Sequence, residues 1–418
     1  MSINSALLAG VSGLVANSSA LAAISDNIAN VNTVAYKRNQ VNFANVVTAQ
    51  AVKGKYSAGG VQGVTRQFVS TQGLIQASGS STDLAISGDG FFVVSNKSTG
   101  LTAADPRSFT RQGSFSVDPS GFLRNDSGLF LQGWPVQSDG TFIANPSDLT
   151  AMASINVKNL GAAVSPTTTI GISANLDKVD ALQPEPIDVN IVDAAGGKHT
   201  LRMAFTRTAM VNNWTMALTV EPTPADATIT PGPLAIPVTF NTDGTLNQVN
   251  GAAPSAFTAN LAWAAALGLP AQDIAIDLTK ITQYDEPSAL GSITQNGAGA
   301  GNVVAIEVDE DGVVSAVYDN NQIRKVAKVG IATFPNADGL AQVSGNAYRP
   351  TMEAGEMVVK QAGTGGAGQI SPSSLEASTV DLSAEFTGLI QTQKAYSASS
   401  KIITTADQML EELINIKR

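Results

Sequence analysis

The sequence predicts a multidomain α+β protein. Its N- and C-terminal coiled-coil-like helices pair, with mainly-β core and outer domains looped out between them. Three observations carry this reading. Apolar residues recur every seven positions at both ends of the chain. From about residue 82 the apolar period changes to two. A chain of 418 residues also exceeds one ordinary core, so two or three domains are expected.

Near the start, Leu7, Leu14, Leu21 and Ile28 fall seven apart, and Ile24 and Val31 add a second line. Such a repeat buries a narrow seam against another helix. Residues 3–30 therefore read as one helix. Asn27, Asn30, Asn32 and Thr33 favour its end, because short polar side chains compete for backbone hydrogen bonds. Near the other end Leu382, Leu389, Tyr396, Ile403 and Leu410 also fall seven apart, beside Phe386, Leu413 and Ile414. Residues 1–32 and 378–418 are assigned to one helical inner domain.

Residues 33–75, broken by Gly54, Gly59, Gly60, Gly63 and Gly73, read as an extended linker with short strands. Residues 76–149 and 290–362 read as a discontinuous β-rich core domain. Strands are expected at Leu84 and Ile86, at Phe91 to Val94, in one alternating run from Phe109 to Val117, and from Leu129 to Val136. The turns between them include Ser87-Gly88-Asp89-Gly90, Asp118-Pro119-Ser120-Gly121 and Ser138-Asp139-Gly140. Later, Val303–Val308 and Val313–Tyr318 flank Asp309-Glu310-Asp311-Gly312, a strong hairpin signal, and Lys325–Phe334 follows as a strand.

An inserted outer β domain is expected at 150–289, with strands at Thr168–Leu176, Ile187–Val192, Leu201–Thr206, Trp214–Val220 and Pro237–Asn241. The proline-rich stretch Glu221–Pro237 reads as an exposed loop, while Ser255–Gly268 stays open between a short helix and a strand pair. Residues 363–377 read as a flexible Gly/Ser-rich linker.

Composition narrows the chemistry. With 34 acidic against 24 basic residues the formal charge is -10, which repels phosphate backbones and anionic lipid. Nucleic acid is therefore not an expected partner. No apolar run reads as a transmembrane helix, so membrane insertion is not expected, and no cleaved signal peptide is recognised. The absence of cysteine excludes disulfides and thiolate metal sites. His199, the one histidine, follows Gly196-Gly197-Lys198 and reads as a solvated turn residue. Asp309 to Asp311 fail the EF-hand spacing, because Val313 holds the fifth position and no glutamate closes the loop. Gly363, Gly365 and Gly368 match a dinucleotide fingerprint only literally, since Pro372 blocks a following helix. No enzyme activity, cofactor or metal is expected. Trp134 and Trp214 read as core residues.

Several stretches carry a family resemblance. The run Asp26-Asn27-Ile28-Ala29-Asn30-Val31-Asn32-Thr33-Val34-Ala35-Tyr36-Lys37 resembles the signature of the axial proteins of the bacterial flagellum, the rod and hook family. Asn27, Asn30, Thr33, Tyr36 and Lys37 sit at matching positions, and Ala35 stands where the family usually has glycine. Asp83 to Phe92, Phe109 to Phe115 and Leu131-Gln132-Gly133-Trp134-Pro135 resemble its core strands in the expected order. Leu375-Glu376-Ala377-Ser378-Thr379-Val380-Asp381-Leu382 resembles its C-terminal motif, including Asp381, and Gln393 and Tyr396 match its last helix.

The resemblance implies a structural subunit of the flagellar hook, located outside the cell. It implies a helical homopolymer shaped as a curved tube that passes torque from rod to filament. Implied partners are further copies of the chain, the rod, hook-cap and hook–filament junction proteins, and the flagellar type III export apparatus. The nearest alternative is a distal rod or hook-associated protein; an extracellular binding module or hydrolase is the alternative from another class. One helix pair of this composition is marginal alone, so both termini are expected to order on assembly.

Overall fold

The computed structural model describes residues 3–46, 59–102, 105–137, 140–142, 149–158, 160–161, 163–179, 185–221, 227–230 and 235–416. Part of the expected turn at 138–140 and most of the proline-rich stretch lie outside these residues.

Helix α1 spans Ile3–Ala29 and helix α2 spans Leu382–Ile416. They run antiparallel. A Cβ added at Gly10 would stand 3.2 Å from Ile403 and one at Gly13 3.2 Å from Ser399, while one at Gly388 would stand 3.5 Å from Ile24. Glycine at these points lets the helix backbones approach closely. Another face of α1 carries a hairpin, strand β1 (Asn39–Asn45) paired antiparallel with strand β2 (Val61–Gln67). Ala20, Ala23 and Val41 form a small core there, and Ser12 Oγ accepts the amide of Val61 at 3.1 Å.

Of the chain's two compact units, the first comprises Met1–Asn159, Ile306–Ser315 and Lys325–Arg418. The largest sheet of the chain runs in the order Val303–Val308, Val313–Tyr318, Ile323–Thr333, Phe130–Pro135, Phe91–Ser95, Ser108–Thr110, Ala347–Arg349 and Ala341–Val343. Phe91, Phe109, Trp134 and Tyr348 are buried together, with Phe334 edge-on to Phe109 at 5.0 Å. The single strand expected from Phe109 to Val117 is two strands, Ser108–Thr110 and Phe115–Val117. The break falls at Gly113, whose carbonyl accepts the amide of Leu84. A Cβ at Gly113 would sit 1.6 Å from the Leu84 carbonyl oxygen, so that close crossing requires glycine.

The second unit comprises Leu160–Ala305 and Ala316–Arg324. It holds two five-stranded sheets. Strand Thr169–Asp177 pairs parallel with Gln272–Tyr284 and antiparallel with Ala289–Gln295. The strands Glu185–Val192, Lys198–Arg207, Asn213–Glu221, Ile236–Phe240 and Leu246–Val249 form the other sheet. Alternate side chains of both sheets share one core that includes Ile172, Leu201, Phe205, Trp214, Val238 and Ile276. Ala163–Ser165 and Ala298–Gly301 pair antiparallel as a two-stranded stem.

Several expectations need correction. The sequence reading places no strand at Gln272–Tyr284, yet Ile274, Ile276 and Leu278 alternate there and are buried. Ser255–Gly268 resolves into one strand, Phe257–Trp263, between one-turn helices at Pro254–Ala256 and Ala265–Leu267. The proline-rich stretch contains a strand, Ala227–Thr230, paired with Asn260 to Trp263. His199 is no solvated turn residue: it lies in strand Lys198–Arg207, pairs with Asp193 at 2.9 Å and packs against the Trp263 ring.

The glycine-rich connection is a hydrogen-bonded turn. Gly363 donates to Gly368, and Gly368 donates to Asp89. It leads into strands Gln369–Pro372 and Ser374–Glu376, which pair with Leu84–Ser87 and Ile75–Ala77. Finally, Ala6–Ala29 is long and apolar enough to cross a membrane, with mean hydropathy 1.7. A search for unbroken large apolar side chains passes over it because Ala and Gly make up so much of the segment.

Candidate assembly site

Two sets of residues distinguish the terminal helices. The first is a junction at their meeting point. As α1 ends, Asn30 Nδ2 donates to Asp26 O at 2.9 Å and the Thr33 hydroxyl donates to Asn30 Oδ1 at 3.0 Å. The chain then turns through Ala35, whose φ is +56°. That left-handed geometry is the one glycine adopts freely; here the Ala35 amide donates to Glu376 O at 2.8 Å and holds the turn. Asn27 is fully buried and ties the turn to β1: its Oδ1 accepts from the Asn39 amide at 2.9 Å and from Tyr36 Oη at 3.2 Å.

Glu376 is the hub. Its Oε1 accepts from Lys37 Nζ at 2.5 Å and from the Gly73 amide at 2.8 Å. Its Oε2 accepts from Arg111 Nη1 at 3.2 Å. Lys37, Glu376 and Arg111 are all buried. Lys37 also donates to Thr71 O, and Arg111 Nη2 donates to Gly88 O at 2.7 Å. Burial pushes the Lys37 ammonium down to about 8 despite the Glu376 carboxylate, which holds it up. Burial likewise raises the Tyr36 phenol above its usual range. One carboxylate thus gathers the end of α1, the segment after β2, a core strand and the approach to α2. Asp381 starts α2 by accepting the amides of Ser383 at 2.8 Å and Ala384 at 3.2 Å. Arg38 pairs with Glu385 one turn into that helix.

The sequence reading singled out Asn27, Tyr36, Lys37 and Asp381, and the fold brings them to this junction with Asn30 and Thr33 beside it. Gln393 stands apart, exposed along α2. Glu376 and Arg111 were present only inside longer matching stretches. A contact between positions 37 and 376, 339 apart, has no local signature.

The second set is a pair of apolar stripes. The heptad residues Leu7, Leu14, Leu21, Ile28, Leu389, Tyr396, Ile403 and Leu410 are half-buried, and Leu382 is exposed. The most buried positions of α1 are instead Gly10, Ala16, Ala20, Ala23 and Asn27. Outside the seam, Leu8, Val11 and Val15 are exposed at helical spacing on α1, as are Leu382, Phe386 and Ile390 on α2. Leu8 is 68% and Ile390 54% exposed. An apolar groove of about 320 Å³ opens beside Ala6, Ile402, Ala406 and Met409.

Both terminal segments match known protein families. Residues 7–37 match a model of the flagella basal body rod protein, and 371–416 match the flagellar basal body rod FlgEFG protein C-terminal model. Residues 85–175 match the flagellar hook protein FlgE/F/G D1 domain, and 160–298 match the flagellar basal body protein FlaE D2 domain. The flagellar hook protein FlgE of Caulobacter vibrioides is 38% identical, over 100% of both chains. The chain belongs to the flagellar hook protein family. The hook protein of Rhizobium meliloti is 32% identical over 100% of both chains, and that of Escherichia coli 30% identical over 99% of this chain and 100% of its own. Among solved structures, the Helicobacter pylori flagellar hook protein FlgE2 aligns over 71% of this chain and 98% of its own, at 14% identity and a TM-score of 0.42. In this chain Asn27, Tyr36, Lys37, Glu376, Asp381 and both stripes lie in the two terminal segments matched by the rod-protein models, while Arg111 lies in the D1 match.

Proposed function

We propose that the chain is a structural subunit that polymerises into the flagellar hook, a curved tube passing torque from rod to filament. The observation that supports this reading is the pair of exposed apolar stripes on the terminal helices. A monomer that kept Leu8, Val15, Phe386 and Ile390 in water would forgo roughly 1 kcal/mol at each, taking half of the burial worth of a large apolar side chain. Packing against neighbouring copies recovers it. The heptad residues form the seam within one chain, and the stripes form the contacts between chains.

The partners in this reading are further copies of the chain, with the rod below, and the cap and filament-junction proteins above. Export through the flagellar apparatus delivers the chain outside the cell. Its role is mechanical rather than catalytic. Electron microscopy of the purified, polymerised protein tests the proposal. Short, hollow, curved tubes are expected; dispersed monomers at every concentration would sink it. Amide exchange on dilute monomer tests the ordering of the ends, with little protection expected at Leu14 and Ile403.

A further inference from the structure

A second polar feature lies away from the terminal helices. A cavity of about 440 Å³ opens in the first unit beside Asp105, Arg107, Phe109, Leu149, Arg349 and Met357. Arg107 is 8% exposed, and its buried Nε and Nη1 have no hydrogen-bond partner among the described residues. Leaving guanidinium donors unmet in a buried position is costly. Arg349, on the same cavity, forms no ion pair among the described residues. The nearby carboxylate is committed elsewhere. Asp105 accepts from Lys97 and from the Thr102 hydroxyl at 2.9 Å, and the Lys97 bond with these others holds it at about 2. The cavity therefore offers two arginines to an acceptor that the described residues do not supply.

We infer that this cavity receives a carboxylate from a second copy of the chain, supplied by the acidic hairpin Asp309-Glu310-Asp311. A guanidinium fork matches a carboxylate through two parallel hydrogen bonds. The hairpin tip is exposed, and its Asp309 Oδ1 already accepts the Val313 amide at 2.7 Å, leaving Glu310 and Asp311 to reach outward. The two features also lie towards opposite edges of one sheet. The hairpin joins Val303–Val308 to Val313–Tyr318 at one edge, whereas Arg107 precedes Ser108–Thr110, third strand from the other. A contact between different surfaces of identical chains is heterologous, and it propagates into an open helical array wherever its rotation does not close into a ring. A chain of net charge -10 also needs such local cationic sites if its copies are to pack.

The inference rests on the homopolymer reading, and the test separates the two. Full-length protein is polymerised across a concentration series, and the critical concentration is read by sedimentation. If the unaltered protein forms no tubes, that reading has failed. Given tubes, Arg107→Met should leave the monomer melting at the same temperature or higher, because an unpaired buried charge is gone, yet raise the critical concentration about tenfold. Assembly of Arg107→Met at the unaltered concentration would overturn the inference. Arg107→Glu should assemble poorly, and the chain combining it with Glu310→Lys and Asp311→Lys should recover. Failure to recover in a chain with a native circular dichroism spectrum would overturn the hairpin as occupant. Monomer stabilised by acetate alone, with assembly insensitive to Arg107, would mark a free-anion site and would also overturn it.

Discussion

Ala35 shows how an alanine can hold a left-handed turn. A left-handed alanine costs roughly 1–2 kcal/mol relative to the right-handed form. Glycine removes that strain, but it costs about 0.5–1 kcal/mol of extra chain entropy and about 0.8 kcal/mol for a lost buried methyl. These terms nearly cancel at a residue that is 1% exposed. Ala35→Gly should therefore shift unfolding free energy by less than about 1 kcal/mol, whereas Ala35→Val, β-branched and buried at positive φ, should lose about 2 kcal/mol or more; denaturant melts of both variants check this. Lys37 carries a pH prediction. Its proton is held less firmly in the fold, near pH 8, than in the unfolded chain, near 10.5. Below pH 8 both states keep it. Between pH 8 and 10.5 the unfolded chain binds more protons, so this group makes stability rise with pH across that window. Lys37→Met should abolish the rise, which melting temperatures measured at intervals from pH 7.5 to 10.5 would reveal.

The helices show which part of the pattern is legible from sequence. Heptad spacing locates both helices, because leucines and isoleucines announce themselves every seven residues. It does not show which surface the helix buries most deeply. On α1 that surface is Gly10, Ala16, Ala20 and Ala23, small residues that a search for large apolar anchors ignores. The strands divide similarly. Val313–Tyr318 is readable from its hairpin signal and alternation. Gln272–Tyr284 was equally readable from Ile274, Ile276 and Leu278, and was passed over. The Glu376 hub was not readable, since its partners Lys37, Gly73 and Arg111 come from three separate segments and only the fold assembles them. The stripes give the prediction at this scale. Leu8→Ser with Val15→Ser changes side chains that are mostly exposed, so monomer stability should move by less than about 0.5 kcal/mol. The concentration needed for polymerisation should rise several-fold, as light scattering would record. Gly10→Leu acts on another face: with only 3.2 Å available to a Cβ before Ile403, it should force the helices apart and likewise weaken polymerisation in the same light-scattering assay.

The whole chain contains two units, and the second, Leu160–Ala305 with Ala316–Arg324, includes the paired stem Ala163–Ser165 and Ala298–Gly301. Because the stem strands are hydrogen-bonded neighbours, a short glycine link can replace residues 163–301 without stretching the rest. The intact chain should show two calorimetric transitions and the excised chain one. The excised chain should still polymerise through its terminal helices, giving tubes of altered curvature in electron micrographs; complete loss of assembly would contradict that division between units. The Glu376 hub has a consequence in time. A ribosome adds about 5–20 residues each second, and Lys37 is made 339 residues before its carboxylate. For roughly 20–70 s the first helix exists without the group that anchors its end, and without the second helix that covers its seam. During that interval an apolar segment long enough to attract other surfaces stands open, so a cell making this chain must hold the N-terminus unfolded or engaged until the last forty residues arrive.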